Sequence, residues 1–324
     1  MTNFEKLDEN NGIKYEEALG LVKAELEHTL SRSPLIIREY TKHLLASQGK
    51  YIRAISVITA AEDKNGMVHP DAILLAAAIE LVHLASLVHD DIIDNADLRR
   101  GNITLQKKYG KRTAVICGDY LLSIALRKAA SCSNKRDYLE LELHDYVGKV
   151  CLGELNQHIN NNNIQLSVYQ YFKIISGKTA ALFEASFLAG AMAEGVRGTE
   201  LNRYRQLGYE IGMIFQLTDD CMDFENTRAE AEKPVQSDYE QGVITLPLIH
   251  AFAKLDDFKD KAANKGITRQ EINEAVIKTG GLSFTRLVVK KYYNKAMKLI
   301  DMLETSDSKK EKLIYILKKA SRLE

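Results

Sequence analysis

An apolar run that ends in a burst of carboxylates constrains this chain more than any other stretch in it. Residues Ala72 to His89 are almost wholly apolar, and the run closes in Asp90-Asp91-Ile-Ile-Asp94-Asn-Ala-Asp97-Leu-Arg99-Arg100-Gly101. The run carries Glu80, His83 and His89, so it reads as a buried helix of a soluble bundle rather than a stable membrane span. Asp90 and Asp94 are four residues apart and share one face of a helix. At helical pitch Asp97 lies about one further turn along, and His83 two turns back on the same side. Paired carboxylates at this spacing repel unless a cation sits between them. Hard oxygen ligands with no cysteine among them suit Mg²⁺, which keeps several waters and takes its other ligands from phosphates. Arg99 and Arg100 can then hold phosphate oxygens through planar, charge-assisted hydrogen bonds. A solvated acidic helix end with a basic cap would carry the same residues, so one such stretch does not decide.

A second stretch repeats the pattern. Phe215-Gln216-Leu-Thr-Asp219-Asp220-Cys-Met-Asp223-Phe224 again places DDxxD at the polar end of an apolar run. Two copies, each closing a hydrophobic helix, are what two facing helices need to hold a metal-diphosphate. With the longer match DDxxDxADLRRG, the chain resembles the trans-isoprenyl diphosphate synthases, or polyprenyl synthetases, over roughly residues 45–250. The resemblance implies an all-α fold, an isoprenoid synthase-type helical bundle around a central apolar cavity, with the two motifs across its mouth. It implies Mg²⁺ held by Asp90, Asp94, Asp219 and Asp223, two substrates (isopentenyl diphosphate and an allylic diphosphate), and a homodimer.

Further residues match the family one by one. Gly49-Lys50-Tyr51-Ile52-Arg53 carries its GKxxR, whose Lys50 and Arg53 would bind the diphosphate of isopentenyl diphosphate. Three residues apart at a helix start, they can converge on one anion, although a solvated basic turn would look the same. The chain departs from the family at Tyr51, where many members have Arg, and at Ala54, where many have Pro. His83 and Arg100 would join the isopentenyl site, and Arg99 would contact the allylic diphosphate. Gly177-Lys178-Thr179-Ala180 resembles the family's KTA, with Lys178 over the allylic diphosphate and near the developing cation. Thr179 and Gln216 are placed with the substrate-binding residues. Glu154 and Gln157 are candidates to face the cavity. Gly118-Asp119-Tyr120-Leu121-Leu122 matches GDYLL and reads as packing. Residues 225–242 read as a polar lid that excludes water, with Lys233 as its basic diphosphate contact. Val243 stands where the family usually has a second lysine.

The other features of the chain agree with a helical enzyme. It has 4 Pro and no Trp, which favours helix. Its 44 basic and 44 acidic residues leave no surplus that would argue for nucleic acid. Cys117, Cys132, Cys151 and Cys221 are scattered, with no CxxC pair, and read as free core thiols of a cytoplasmic protein. Tyr15, Leu19, Val22, Leu26 and Leu30 form a helical stripe, and Glu25-x-x-His28 has no second pair to make a di-iron site. Ser33-Pro34 reads as a helix start, with the helix running from Pro34 to Ser47. No linker or repeat divides the chain, so residues 1–324 read as one polyprenyl synthetase domain.

The expected reaction is condensation of isopentenyl diphosphate with an allylic diphosphate. Ala85 and Ser86, five and four residues before Asp90, are small where bulky aromatic residues would stop growth, so a product longer than farnesyl is expected. Two rivals remain. A terpene cyclase usually carries one DDxxD and lacks GKxxR. A non-catalytic subunit of a two-component synthase is opposed by the two intact motifs and kept open by Tyr51 and Val243.

Overall fold

The computed structural model describes residues 12–45, 49–133, 143–225, 239, 241–263 and 267–322. In chain order the helices are α1 (Tyr15–Ser31), α2 (Leu35–Leu44), α3 (Ile52–Ala60), α4 (Pro70–Ile93), α5 (Leu105–Tyr109), α6 (Lys111–Ala129), α7 (Leu143–Ile159) and α8 (Val168–Ile175). They continue as α9 (Ala181–Glu194), α10 (Gly198–Glu225), α11 (Leu246–Phe252), α12 (Asp256–Ala263), α13 (Arg269–Thr279), α14 (Gly281–Met302) and α15 (Asp307–Ser321). Among the described residues, strand is confined to two small antiparallel pairs: β1 (Ile13–Lys14) with β2 (Met67–Val68), and β3 (Leu98–Arg99) with β4 (Asn102–Ile103). The class is all-α, as expected. The chain forms two compact units. One comprises Met1–Val147, Leu182–Gly208 and Met302–Ile316; the other Gly148–Ala181, Tyr209–Asp301 and Leu317–Glu324.

The first unit is built on α4. Pro70 at its first turn needs no backbone donor, and His69 Nδ1 accepts the Asp71 N–H at 3.2 Å. Ala72, Ile73, Ala76, Ile79, Leu81 and Ala85 are buried along it. By length and composition α4 could cross a membrane, and most of its apolar surface is buried within the protein. Asn95 stops the helix. Its φ of 50° turns the chain into the left-handed region. The Ala96 N–H then reaches Asp91 O at 2.9 Å, and the Asn95 N–H reaches Ile92 O at 3.3 Å. These two bonds are a Schellman closure. Asp97 therefore does not continue the helical face, contrary to expectation. It lies in the following loop and pairs with Lys107 at 2.9 Å. Arg100 and Gly101, with φ of 51° and 77°, make the two-residue turn between β3 and β4.

The start of α2 also differs from the sequence expectation. Pro34 is the residue before the helix, with ψ of 147°, and its carbonyl accepts the Arg38 N–H at 3.0 Å. The helix runs to Leu44, and Ser47, where the sequence placed its end, lies outside the described residues. On α1, Val22, Leu26 and Leu30 are buried as the stripe required, and Glu25 is buried in an ion pair with Lys128.

The core of the second unit gathers Leu166, Ile174, Leu217, Leu246, Phe252 and Val276. Capping boxes open α8 (Ser167 with Gln170) and α13 (Thr268 with Glu271). Cys117, Cys132 and Cys221 are buried thiols, but Cys151 is exposed, which corrects the reading of all four as core residues. It neighbours Leu152, itself exposed on α7.

Candidate active site

Helical geometry gives the two adjacent aspartates of each motif different roles, because neighbours on a helix point about 100° apart. In the first motif Asp90 is half-buried and Asp94 exposed, and the Asp94 N–H bonds to Asp90 O at 2.8 Å, so the i, i+4 register holds. Asp91 turns inward, is buried, and accepts Arg99 Nε at 2.7 Å. Burial pushes the Asp91 carboxyl up, and the Arg99 guanidinium pulls it back. Arg99 is thus held by a carboxylate of the motif it accompanies. His89 packs on Gly118 so closely that a Cβ there would stand 2.2 Å from Nε2. That contact gives the GDYLL glycine its reason, and Asp119 lies 3.5 Å from the same nitrogen.

A basic group forms in the same unit. Arg53 is buried in the first turn of α3, with its guanidinium 4.7 Å from the centre of the Phe183 ring. Burial holds its pKa down to about 10, with Arg100 adding to the effect and Glu80 opposing it. His83 sits one turn beyond Glu80 on α4. Loss of water contact, and then Arg53, Arg100 and Arg99, keep it well below the ordinary histidine range. A neutral imidazole amid three guanidiniums can donate to an anion without adding charge. Gly49 lies against Arg100, where a Cβ would be 2.8 Å from Nη1. Arg53, His83, Arg99 and Arg100 are therefore brought together, with exposed Lys50 on the adjoining loop.

In the second unit, α10 ends in the second motif. Asp219 is exposed and pairs with Arg322 at 2.9 Å. Asp220 is buried and accepts bonds from the Tyr171 hydroxyl and, at 2.7 Å, from Gln216 Nε2. Burial raises its pKa to about 7; those two bonds lower it, and Asp219 and Asp223 raise it. The Gln216 carbonyl oxygen accepts Thr179 Oγ1 at 2.6 Å. One hydrogen-bonded line thus runs Thr179, Gln216, Asp220, Tyr171. Ser176–Ala180 forms a single π-helical turn between α8 and α9, a widened turn of the kind found at functional sites. It carries Lys178, which pairs with Glu154 at 2.8 Å. Gly153 and Gly177 let the two backbones touch: a Cβ on Gly153 would meet Lys178 N at 2.1 Å.

Ala85 is fully buried, whereas Ser86 keeps an accessible side and donates to His83 O at 2.8 Å. Ala85 is thus a packing residue, and Ser86 is the small residue of the two with an accessible side. Lys233 and most of the expected lid lie outside the described residues. Four residues that shape the site were assigned no role from sequence: Glu80, Asp91, Asp220 and Tyr171. The inward turn of Asp91 and Asp220 was available from helical periodicity. Glu80 announced itself only as a carboxylate within an apolar run.

Among the described residues no cluster of three or more His, Cys, Asp or Glu side chains surrounds a metal position. The carboxylates come in pairs on helix ends. That donor set fits Mg²⁺, which binds through one or two carboxylates and completes its shell with water and substrate phosphates.

An all-α protein with two aspartate-closed helices and a basic group of this make-up belongs to the diphosphate-handling class. The polyprenyl synthetase family model matches residues 34–279. The chain is 34% identical over 302 residues to heptaprenyl diphosphate synthase component 2 of Geobacillus stearothermophilus, covering 90% of this chain and 91% of that one. A crystal structure of heptaprenyl diphosphate synthase from Staphylococcus aureus superposes with a TM-score of 0.85 at 30% identity, covering 96% and 99% of the two chains. A polyprenyl synthase from Caulobacter crescentus CB15, complexed with calcium and isoprenyl diphosphate, superposes with a TM-score of 0.84 at 29% identity over 94% of each chain. The chain belongs to the polyprenyl synthetase family. It is a prenyltransferase with the isoprenoid synthase fold, and it makes a polyprenyl diphosphate.

Proposed function

We propose that this chain is a Mg²⁺-dependent synthase that adds isopentenyl diphosphate to an allylic diphosphate repeatedly, giving a trans-polyprenyl product longer than farnesyl. The pairing of outward carboxylates with inward, hydrogen-bonded partners in both motifs carries this reading: Asp90 beside Asp91–Arg99, and Asp219 beside Asp220–Tyr171. Asp90, Asp94, Asp219 and Asp223 would hold Mg²⁺, which when bound neutralises charge on the departing diphosphate. Lys178, oriented by Glu154 and the Gly153 contact, and Arg99, oriented by Asp91, bind the allylic diphosphate as its C–O bond breaks. Thr179 and Gln216 complete the polar wall beside Lys178. Lys50, Arg53, His83 and Arg100 bind isopentenyl diphosphate so that its double bond attacks the allylic cation. The new C–C bond leaves a tertiary cation, and a proton passes from it to the released diphosphate. No side chain forms a bond to substrate. The growing apolar tail lies along α4, past Ser86.

We keep residues 1–324 as one domain, supported by a family match that spans segments of both compact units. A cytoplasmic homodimer is part of the proposal. Leu152, Leu155 and Ile159 are exposed at helical spacing on α7, an apolar face suited to a second copy. A second reading is favoured by one relative's name, component 2: this chain would then work with a different partner. The metal assignment is tested by Asp90→Ala and Asp219→Ala. Each should abolish turnover with little change in helical circular dichroism, and EDTA should silence the parent until Mg²⁺ is restored. Near-parental turnover in either variant would remove the two-motif mechanism. Lys50→Ala and Arg53→Ala should raise the KM for isopentenyl diphosphate, and Arg99→Ala that for the allylic substrate; swapped effects would exchange the two sites.

A further inference from the structure

Glu80 is a carboxylate set among the groups assigned to the diphosphate of isopentenyl diphosphate. By charge alone it weakens diphosphate binding, so its benefit must be geometrical. The helix it faces, α3, has no side-chain cap of its own: Tyr51 holds the N-cap position with φ of 52°, a conformation that side-chain-bearing residues rarely keep without support. The first bond of the helix runs from the Ile55 N–H to Tyr51 O at 2.9 Å, so the Ala54 N–H has no acceptor within α3. Glu80 Oε1 accepts it at 2.9 Å. The other end of α3 is also held from outside, by buried Lys309 donating to Ala60 O and Glu62 O at 2.9 and 2.7 Å. Glu80 lies near enough for its charge to act on both Arg53 and Arg100, and Gly49 rests against Arg100. The Gly49–Ala54 segment is thus pinned at Ala54 and packed at Gly49, with Lys50 and Arg53 between.

We propose that Glu80 is a positioning residue: it caps α3 from α4 and so fixes Lys50 and Arg53 in the pose that receives isopentenyl diphosphate. The inference rests on the assignment of Lys50 and Arg53 to that substrate. Two conservative variants separate position from charge. Glu80→Asp keeps the charge but draws the carboxylate back by one methylene, ~1.5 Å. Glu80→Gln keeps an acceptor in place without the charge. Glu80→Asp should raise the KM for isopentenyl diphosphate about fivefold or more, the worth of one net hydrogen bond. The allylic KM should stay within about twofold, and Glu80→Gln should hold the isopentenyl KM within about threefold of the parent. An unchanged isopentenyl KM in Glu80→Asp, or a larger rise in Glu80→Gln than in Glu80→Asp, overturns the proposal. So does a lowered Tm in both variants with no separation of the two KM values. Arg53→Ala is measured in parallel. If it leaves the isopentenyl KM unchanged, the site assignment itself has failed. If it raises that KM and Glu80→Asp does not, the Glu80 inference alone falls.

Discussion

Replacing Gly153 by alanine drives a methyl group into the backbone that carries Lys178. The added Cβ would stand 2.1 Å from Lys178 N, 2.5 Å from the Gly177 carbonyl carbon and 2.8 Å from Lys178 Cα. Non-bonded heavy atoms rest ~3.5 Å apart, so α7 and the π-helical turn must separate by about 1.4 Å at the nearest contact. All three atoms are backbone, so no side-chain rotation relieves the clash. Overpacking of this kind costs about 1–3 kcal/mol of stability. A group misplaced by ~1 Å costs on the order of 10²-fold in rate, or ~2.7 kcal/mol of barrier. The expected outcome is a kcat near one-hundredth of the parent's, with a lowered Tm and a folded circular dichroism spectrum. Gly148, on the same helix, has no heavy atom within 4 Å of its added Cβ, and Gly148→Ala should match the parent or gain about 0.5–1 kcal/mol. A Gly153→Ala enzyme with parental kcat and Tm would refute the claim that this contact places Lys178.

Ser86→Phe should shorten the product, because the ring takes up tail space; chromatography of the dephosphorylated products reads this, and an unchanged distribution would route the tail elsewhere. Ala85→Phe should instead lower Tm, since Ala85 has no open side. Glu271 is held at a pKa of about 2, first by Lys261 and then by the Thr268 N–H and hydroxyl. A carboxyl depressed in the folded state stabilises above its ordinary value near 4.5, and the benefit fades as pH falls toward 2. Between about pH 5 and about pH 3 the parent should therefore lose more Tm than Glu271→Gln, and an equal loss in the two would contradict the assignment.

The parts of this molecule legible in its sequence are those that repeat or punctuate. The apolar run before Asp90 reported its helix, and the i, i+4 spacing the shared face of Asp90 and Asp94. Asp97 was misplaced because a single left-handed residue, Asn95, ends the helix, and asparagine at that point carries only a weak signal. Ala85 and Ser86 are equally small, and only their burial tells a packing residue from an accessible one. The role of Glu80 was not legible because its partner, the Ala54 N–H, belongs to a backbone 26 residues away. Such a bond leaves no local pattern. The Gly153 contact with Gly177 and Lys178 was hidden for the same reason.

Two intact aspartate motifs and an assembled basic group should let this chain, by itself and with Mg²⁺, elongate an allylic diphosphate. The decisive measurement incubates the purified chain with farnesyl diphosphate, radiolabelled isopentenyl diphosphate and Mg²⁺, then separates the dephosphorylated products by length. Label should appear in products longer than the starter, and none should appear when EDTA is present. No incorporation by the chain alone, restored by adding a second protein component, would contradict that self-sufficiency.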